Sequence, residues 1–157
     1  RLVGSEMCIR DSSYMVNYEK IDELSKKGYN CSQVVLCYFA EDFGLDEETA
    51  LKISCPFEMG MYESGQCGAV TAGYMVLGLK YGSTDFDRRI ELAKKTLAFK
   101  NEFKEKMGST NCKELLGMKV LEGNNIKKAA EEGLLESVCG KSIQTAIVAL
   151  EKLISND

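Results

Sequence analysis

Four cysteines of this 157-residue chain each sit one residue inside a helix-start signal, and the chain contains no histidine. They are Cys31 in Gly28-Tyr29-Asn30-Cys31-Ser32, Cys67 in Ser64-Gly65-Gln66-Cys67-Gly68, Cys112 in Ser109-Thr110-Asn111-Cys112-Lys113, and Cys139 in Ser137-Val138-Cys139-Gly140-Lys141. A helix N-terminus carries unpaired N–H groups and a partial positive charge, which favour an anion such as a thiolate. The dipole supplies about 0.3–1 kcal/mol, or about 2 in a buried geometry, enough to lower a thiol pKa by at most about 1.5 units from about 8.5. That is too little to make an aggressive nucleophile. It does make a thiolate cheaper to hold against a metal, whose own charge completes the deprotonation.

The spacing excludes several sites. No C-x-x-C occurs, which removes a thioredoxin-type centre and a zinc ribbon, and no C-x-x-C-H occurs, which removes covalent c-type haem. The ferredoxin spacings are absent as well. A shared site therefore requires tertiary folding to bring four helix ends together, and an S₄ donor set suits an iron–sulfur cluster or zinc. Without histidine, acid–base catalysis would rest on carboxylates and lysines, and none forms a recognisable constellation.

The elements that must position these residues are all helical in pattern. A first helix is predicted from Val16 to Lys27, with Tyr18, Ile21 and Leu24 on one face and Gly28 as its stop. Asn30 caps a second, apolar nearly all round, that runs from Cys31 to Phe43 and contains Cys37 as a core residue. Asp46 caps a short third from Glu47 to Ser54, after which Cys55-Pro56 predicts extended backbone and a loop to Gly65. The fourth runs from Gln66 or Cys67 to Tyr81, and its residues Gly68, Ala69, Ala72 and Gly73 form a face with almost no side chain, open to close approach by a backbone or cofactor. A long amphipathic helix from Asp85 to Met107 places Phe86, Ile90, Ala93, Leu97 and Phe103 at helical spacing. Short helices at Cys112–Leu116 and Ile126–Glu132 follow, and the last is predicted to begin near Cys139.

Composition is that of an ordinary globular protein, 45% hydrophobic and 28% charged with net charge −4, and its charges are mixed rather than blocked. Nothing marks a nucleic-acid partner. The longest apolar stretch, Cys67 to Leu79, is too short for a membrane span and holds three glycines. Residues 1–14, beginning Arg1-Leu2-Val3-Gly4-Ser5-Glu6-Met7-Cys8, resemble one reading frame of a sequencing adapter, so a single all-helical domain is expected over residues 15–157. Setting Cys8 aside leaves six of seven cysteines. A self-sufficient core without an export signal points to a reducing cytoplasm.

Gly28-Tyr29-Asn30-Cys31-Ser32-Gln33, then Cys67-Gly68-Ala69-Val70-Thr71-Ala72-Gly73 running on through Met75 to Gly82, then single cysteines at 112 and 139, resemble the C_GCAxxG_C_C family of redox-active proteins. The resemblance implies four key cysteines, here Cys31, Cys67, Cys112 and Cys139. It also implies an association with transporter genes, and a likeness to the non-haem portion of split-Soret-type cytochromes, hence an iron–sulfur cluster. The resemblance implies that a glycine run often follows the phenylalanine at position 57, where this chain has Glu58-Met59-Gly60 and an extra Cys55 before Pro56.

The expectation is thus an all-α bundle of about six to seven helices, four of them starting at a cysteine. Cys31, Cys67, Cys112 and Cys139 would hold an iron–sulfur cluster, or zinc, for electron transfer or redox sensing, with a redox protein or transporter component as partner. Cys55 reads either as an additional ligand or resolving thiol or as incidental, and Met59, Met61 and Tyr62 read as loop packing, although thioethers near thiolates would suit copper(I). The alternatives are a metal-free thiol–disulfide protein and an accessory module with structural cysteines.

Overall fold

The structure, a computed structural model, describes residues 16–156; the adapter-like segment 1–14 and Met15 lie outside the described residues. Among those described there are eight α-helices and no strand. In order they are α1 (Tyr18–Lys26), α2 (Cys31–Ala40), α3 (Glu47–Ser54), α4 (Gly68–Tyr81), α5 (Phe86–Met107), α6 (Cys112–Leu116), α7 (Asn125–Glu131) and α8 (Leu134–Ser155). A 3-10 turn at Glu41–Phe43 extends α2, and a 3-10 stretch at Cys55–Gly60, kinked at Glu58 and Met59, follows α3. None of the helices is long and apolar enough to cross a membrane.

Local chemistry sets most of the boundaries. Asn30, Asp46, Asp85 and Asn111 each accept a hydrogen bond from the backbone N–H three residues on, which satisfies an amide that the helix itself leaves unpaired. Gly44, Gly108 and Gly117 end their helices at positive φ, a conformation that glycine adopts without penalty. The run Val34–Ala40 is buried on every side, and α2 packs against α1, α3, α4 and α8 as the central helix. Cys37 is one of its core residues. The small face of α4 also finds its partners: Ala69, Ala72 and Gly73 are buried, and the Phe99 ring of α5 occupies the space a side chain at Gly73 would need.

Four expectations need correction. Cys55 is helical (φ −49°, ψ −47°) rather than extended, because Pro56 occupies the first turn of a 3-10 helix, where its missing N–H has no partner to lose. Tyr18 is 45% exposed, so the inner face of α1 is Ile21 and Leu24. On α5 four of the five residues read as its apolar face point outward: Phe86, Ile90, Ala93 and Leu97 are exposed, while Phe103 is buried and anchors the helix together with Phe99. The last helix starts at Leu134, with Gly133 at φ +73° as its cap, and Cys139 lies inside it. Leu134 to Val138 contains no breaker, and Gly140 is tolerated within the helix. Consequently Cys31 and Cys112 open their helices, Cys67 is the N-cap of α4, and Cys139 follows the first turn of α8.

A candidate site of four converging thiols

Cys31 is fixed by a dense set of hydrogen bonds behind it. Asn30 and Gln33 form a reciprocal capping box, with Asn30 N–H donating to Gln33 Oε1 (2.9 Å) and Gln33 N–H to Asn30 Oδ1 (3.0 Å). The Asn30 amide donates to the Cys55 carbonyl (3.1 Å) and the Gln33 amide to the Leu51 carbonyl (3.0 Å), so the start of α2 is tied to the end of α3. Ser32, fully buried, donates to the Ser54 carbonyl (2.7 Å).

Cys67 and Cys112 are paired by backbone. Gln66 and Asn111 form an isolated antiparallel bridge, in which Cys67 N–H donates to the Thr110 carbonyl (2.8 Å) and Cys112 N–H to the Gly65 carbonyl (2.7 Å). Each cysteine thus follows a bridged residue, and alternation along extended backbone sends both side chains to the same face. Asn111 then caps α6. The third approach is a contact between α2 and α4: a methyl group added at Gly68 would stand 2.7 Å from Cys31 Sγ and 2.6 Å from the Phe57 carbonyl oxygen. Gly68 lets the Cys31 sulfur lie against the backbone next to Cys67.

These three and Cys139 line one cavity of about 700 Å³, together with Tyr29, Met59, Leu116, Val120 and Ser142 among others. Cys67 and Cys112 are buried, Cys31 and Cys139 partly so. All four thiols are pushed to higher pKa, against the lowering expected from helix dipoles. Burial is the main cause throughout: it raises Cys31 well above the ordinary value, with further upward push from the charges of Cys67, Cys139 and Cys112. Burial and then the charges of Cys67 and Cys139 carry Cys112 to about 12, and burial and then Cys67 carry Cys139 to about 11. Cys67 is raised by burial and pulled back by the N–H groups of Ala69 and Val70 and by the Ser142 hydroxyl. Desolvation of a thiolate outweighs a helix-terminal effect of about 1 kcal/mol, which explains the sign. In the protein alone these are neutral thiols, poor nucleophiles placed close enough to repel one another when ionised.

Among the described residues, no group of three or more Cys, Asp or Glu side chains is arranged to hold a metal ion. Cys55 is exposed and does not line the cavity, so the structure separates it from the other four. Mild alkylation of the native reduced protein at neutral pH is therefore expected to label one cysteine of residues 16–156, Cys55, at least about tenfold faster than the four cavity thiols. Peptide mass mapping over time checks this, and equal rates for Cys55 and Cys139 would contradict the burial described. Met59 lines the cavity while Met61 is 38% exposed, so only one of the two thioethers faces the thiols. Glu58 and Met59 both line the cavity. Four residues of the loop to Gly65, Met59, Met61, Tyr62 and Ser64, have positive φ despite their side chains. No periodicity announces such a conformation.

Ser142 carries no sequence motif. Its position three residues after Cys139 on α8 places it on the same helical face, and it is 1% exposed with its hydroxyl donated to the Val138 carbonyl (2.9 Å).

A family model described as "Putative redox-active protein (C_GCAxxG_C_C)" matches residues 29–153, a span that includes all four cavity cysteines. No curated protein and no solved structure matches the chain.

Proposed function

The chain belongs to the redox-active C_GCAxxG_C_C family, and we propose that Cys31, Cys67, Cys112 and Cys139 hold an iron–sulfur cluster used for electron transfer or redox sensing. The observation that carries this reading is the convergence of four thiols, from four separated stretches of sequence, on a single cavity of about 700 Å³.

The donor chemistry supports it. The four groups are soft sulfur ligands with no imidazole among them, the set used by [2Fe–2S] and [4Fe–4S] centres. They line one cavity, although among the described residues no three of them are arranged to hold a single metal ion. When bound, such a cluster supplies one-electron transfer. The chain's own contributions are to gather the thiols, to bury Cys67 and Cys112, and to set the start of α4 and the Ser142 side chain beside the Cys67 sulfur. Hydrogen bonds to ligating sulfur are one of the levers that set the potential of such centres.

Metal-free thiol–disulfide exchange is less well supported, since exchange needs an accessible thiolate and burial holds these thiols protonated. A redox protein or a transporter component is the partner this reading implies, in a reducing compartment.

Anaerobic reconstitution with iron and sulfide is the direct test. The expected product is brown, contains about two to four iron atoms per chain, and bleaches with dithionite. A colourless protein without iron would overturn the reading.

A further inference from the structure

We propose that the outward face of α5 is a self-association surface, on which two copies of this chain pack antiparallel about a twofold axis. Phe86, Ile90, Ala93 and Leu97 recur at intervals of four, three and four residues, the spacing of d and a positions in a heptad seam. All four are exposed, Phe86, Ile90 and Leu97 by 68%, 42% and 57%. The opposite side of the same helix is already occupied, since Phe99 and Phe103 are buried and α5 packs on α4 and α8. An apolar seam on a helix whose inner face is satisfied has no role in the fold of the single chain.

The charges beside the seam select the occupant and its direction. In an antiparallel pair, Phe86 meets Leu97 and Ile90 meets Ala93 of the second copy, and each contact is repeated by symmetry. The flanking positions that then face one another are Asp87 and Lys94, giving two ion pairs of opposite sign. A parallel pair would instead set Arg89 against Lys94, a like-charge contact. Among the described residues Lys94 makes an exposed pair with Glu91 (3.4 Å), which does not prevent it from exchanging partners. A stable interface buries about 800 Å² per partner, and four side chains over three turns supply roughly half of that. The dimer is therefore weak and reversible, with a dissociation constant above about 1 μM.

Sedimentation velocity on the full reduced chain, from about 1 μM to about 1 mM, tests the proposal; the reductant keeps exposed Cys55 from forming disulfide-linked pairs. The weight-average mass is expected to rise toward twice the monomer, and Leu97→Lys, at an exposed position, should hold it at the monomer mass with unchanged helicity. Asp87→Lys should weaken association at least about fivefold, and adding Lys94→Asp should restore it. A monomer at every concentration, or association that ignores Leu97→Lys, overturns the surface. Association that is lost in Asp87→Lys and not restored by Lys94→Asp overturns the antiparallel arrangement.

Discussion

Gly68→Ala is expected to lower iron–sulfur loading at least about tenfold and to reduce the thermal midpoint of the metal-free protein by about 3–10 °C. The added methyl group meets the Cys31 sulfur at 2.7 Å, the Phe57 carbonyl oxygen at 2.6 Å and Ser32 Cβ at 3.3 Å. None of these can yield cheaply. The Phe57 oxygen is backbone, and Cys31 and Ser32 open a helix whose first turn is bound to α3 through Asn30, Ser32 and Gln33. Overpacking of this kind costs about 1–3 kcal/mol, and 1 kcal/mol displaces the midpoint of a chain this size by about 2–4 °C. The relief open to the protein is to move the Cys31 sulfur away from Cys67, which removes one thiolate from the cluster set. Gly78→Ala, in the same helix with nothing within 4 Å of the new methyl, is the matched control and is expected to gain up to about 1 kcal/mol. Reconstituted iron content and thermal melts on both variants check the pair. Normal loading in Gly68→Ala would show that the contact between Cys31 and Gly68 does not position the site.

The parts of this architecture that local chemistry determines were legible in the sequence. Asn30, Asp46 and Asn111 cap where their side chains predict, and the apolar run of α2 lies at the centre because no polar residue interrupts it. The glycine-and-alanine face of α4 was readable as a surface for close approach, but its two occupants were not: the Phe99 ring against Gly73 and the Cys31 sulfur against Gly68 are tertiary choices. The outward turn of α5 is of the same kind. Phe86, Ile90, Ala93 and Leu97 have the periodicity of a buried stripe, and nothing local distinguishes a stripe that faces its own core from one that faces another molecule. For Cys139, the Ser-Val-Cys-Gly sequence imitates a cap, yet Gly133 six residues earlier offers a left-handed cap, and the longer helix wins by the extra hydrogen bonds it forms. The bridge between Gln66 and Asn111, which joins Cys67 to Cys112, consists of two backbone hydrogen bonds across 45 positions of sequence and has no side-chain signature.

The protonation state of the four thiols is where local reasoning gave the wrong sign, and it leads to the second large effect. Each thiol has a folded-state pKa above that of the unfolded chain, about 8.5, with Cys139 near 11 and Cys112 near 12. Below about pH 8.5 both states keep the proton and the difference contributes nothing. Between the unfolded and folded values the unfolded chain releases protons that the native state retains. The unfolded state then binds fewer protons, and stability falls as pH rises, by up to about 1.4 kcal/mol per pH unit for each thiol still protonated in the fold. Two such thiols acting together from pH 8.5 to pH 10.5 remove about 4 kcal/mol, a large part of the 5–15 kcal/mol that holds a domain together. Urea denaturation of the metal-free protein across that range should therefore show a steep alkaline loss, and Cys112→Ala should flatten it by about one thiol's slope. A stability that stays level to pH 10.5 would mean that these thiols are not buried together. Metal loading works in the opposite direction, because ligation requires thiolates and expels the protons that burial had retained. Cluster assembly is accordingly expected to become more favourable from pH 7 to pH 9, over the interval in which the empty protein begins to weaken. The burial and mutual repulsion that penalise four adjacent thiolates in the empty chain would be relieved in part by the proposed cluster, whose cationic core offsets some of the thiolate charge.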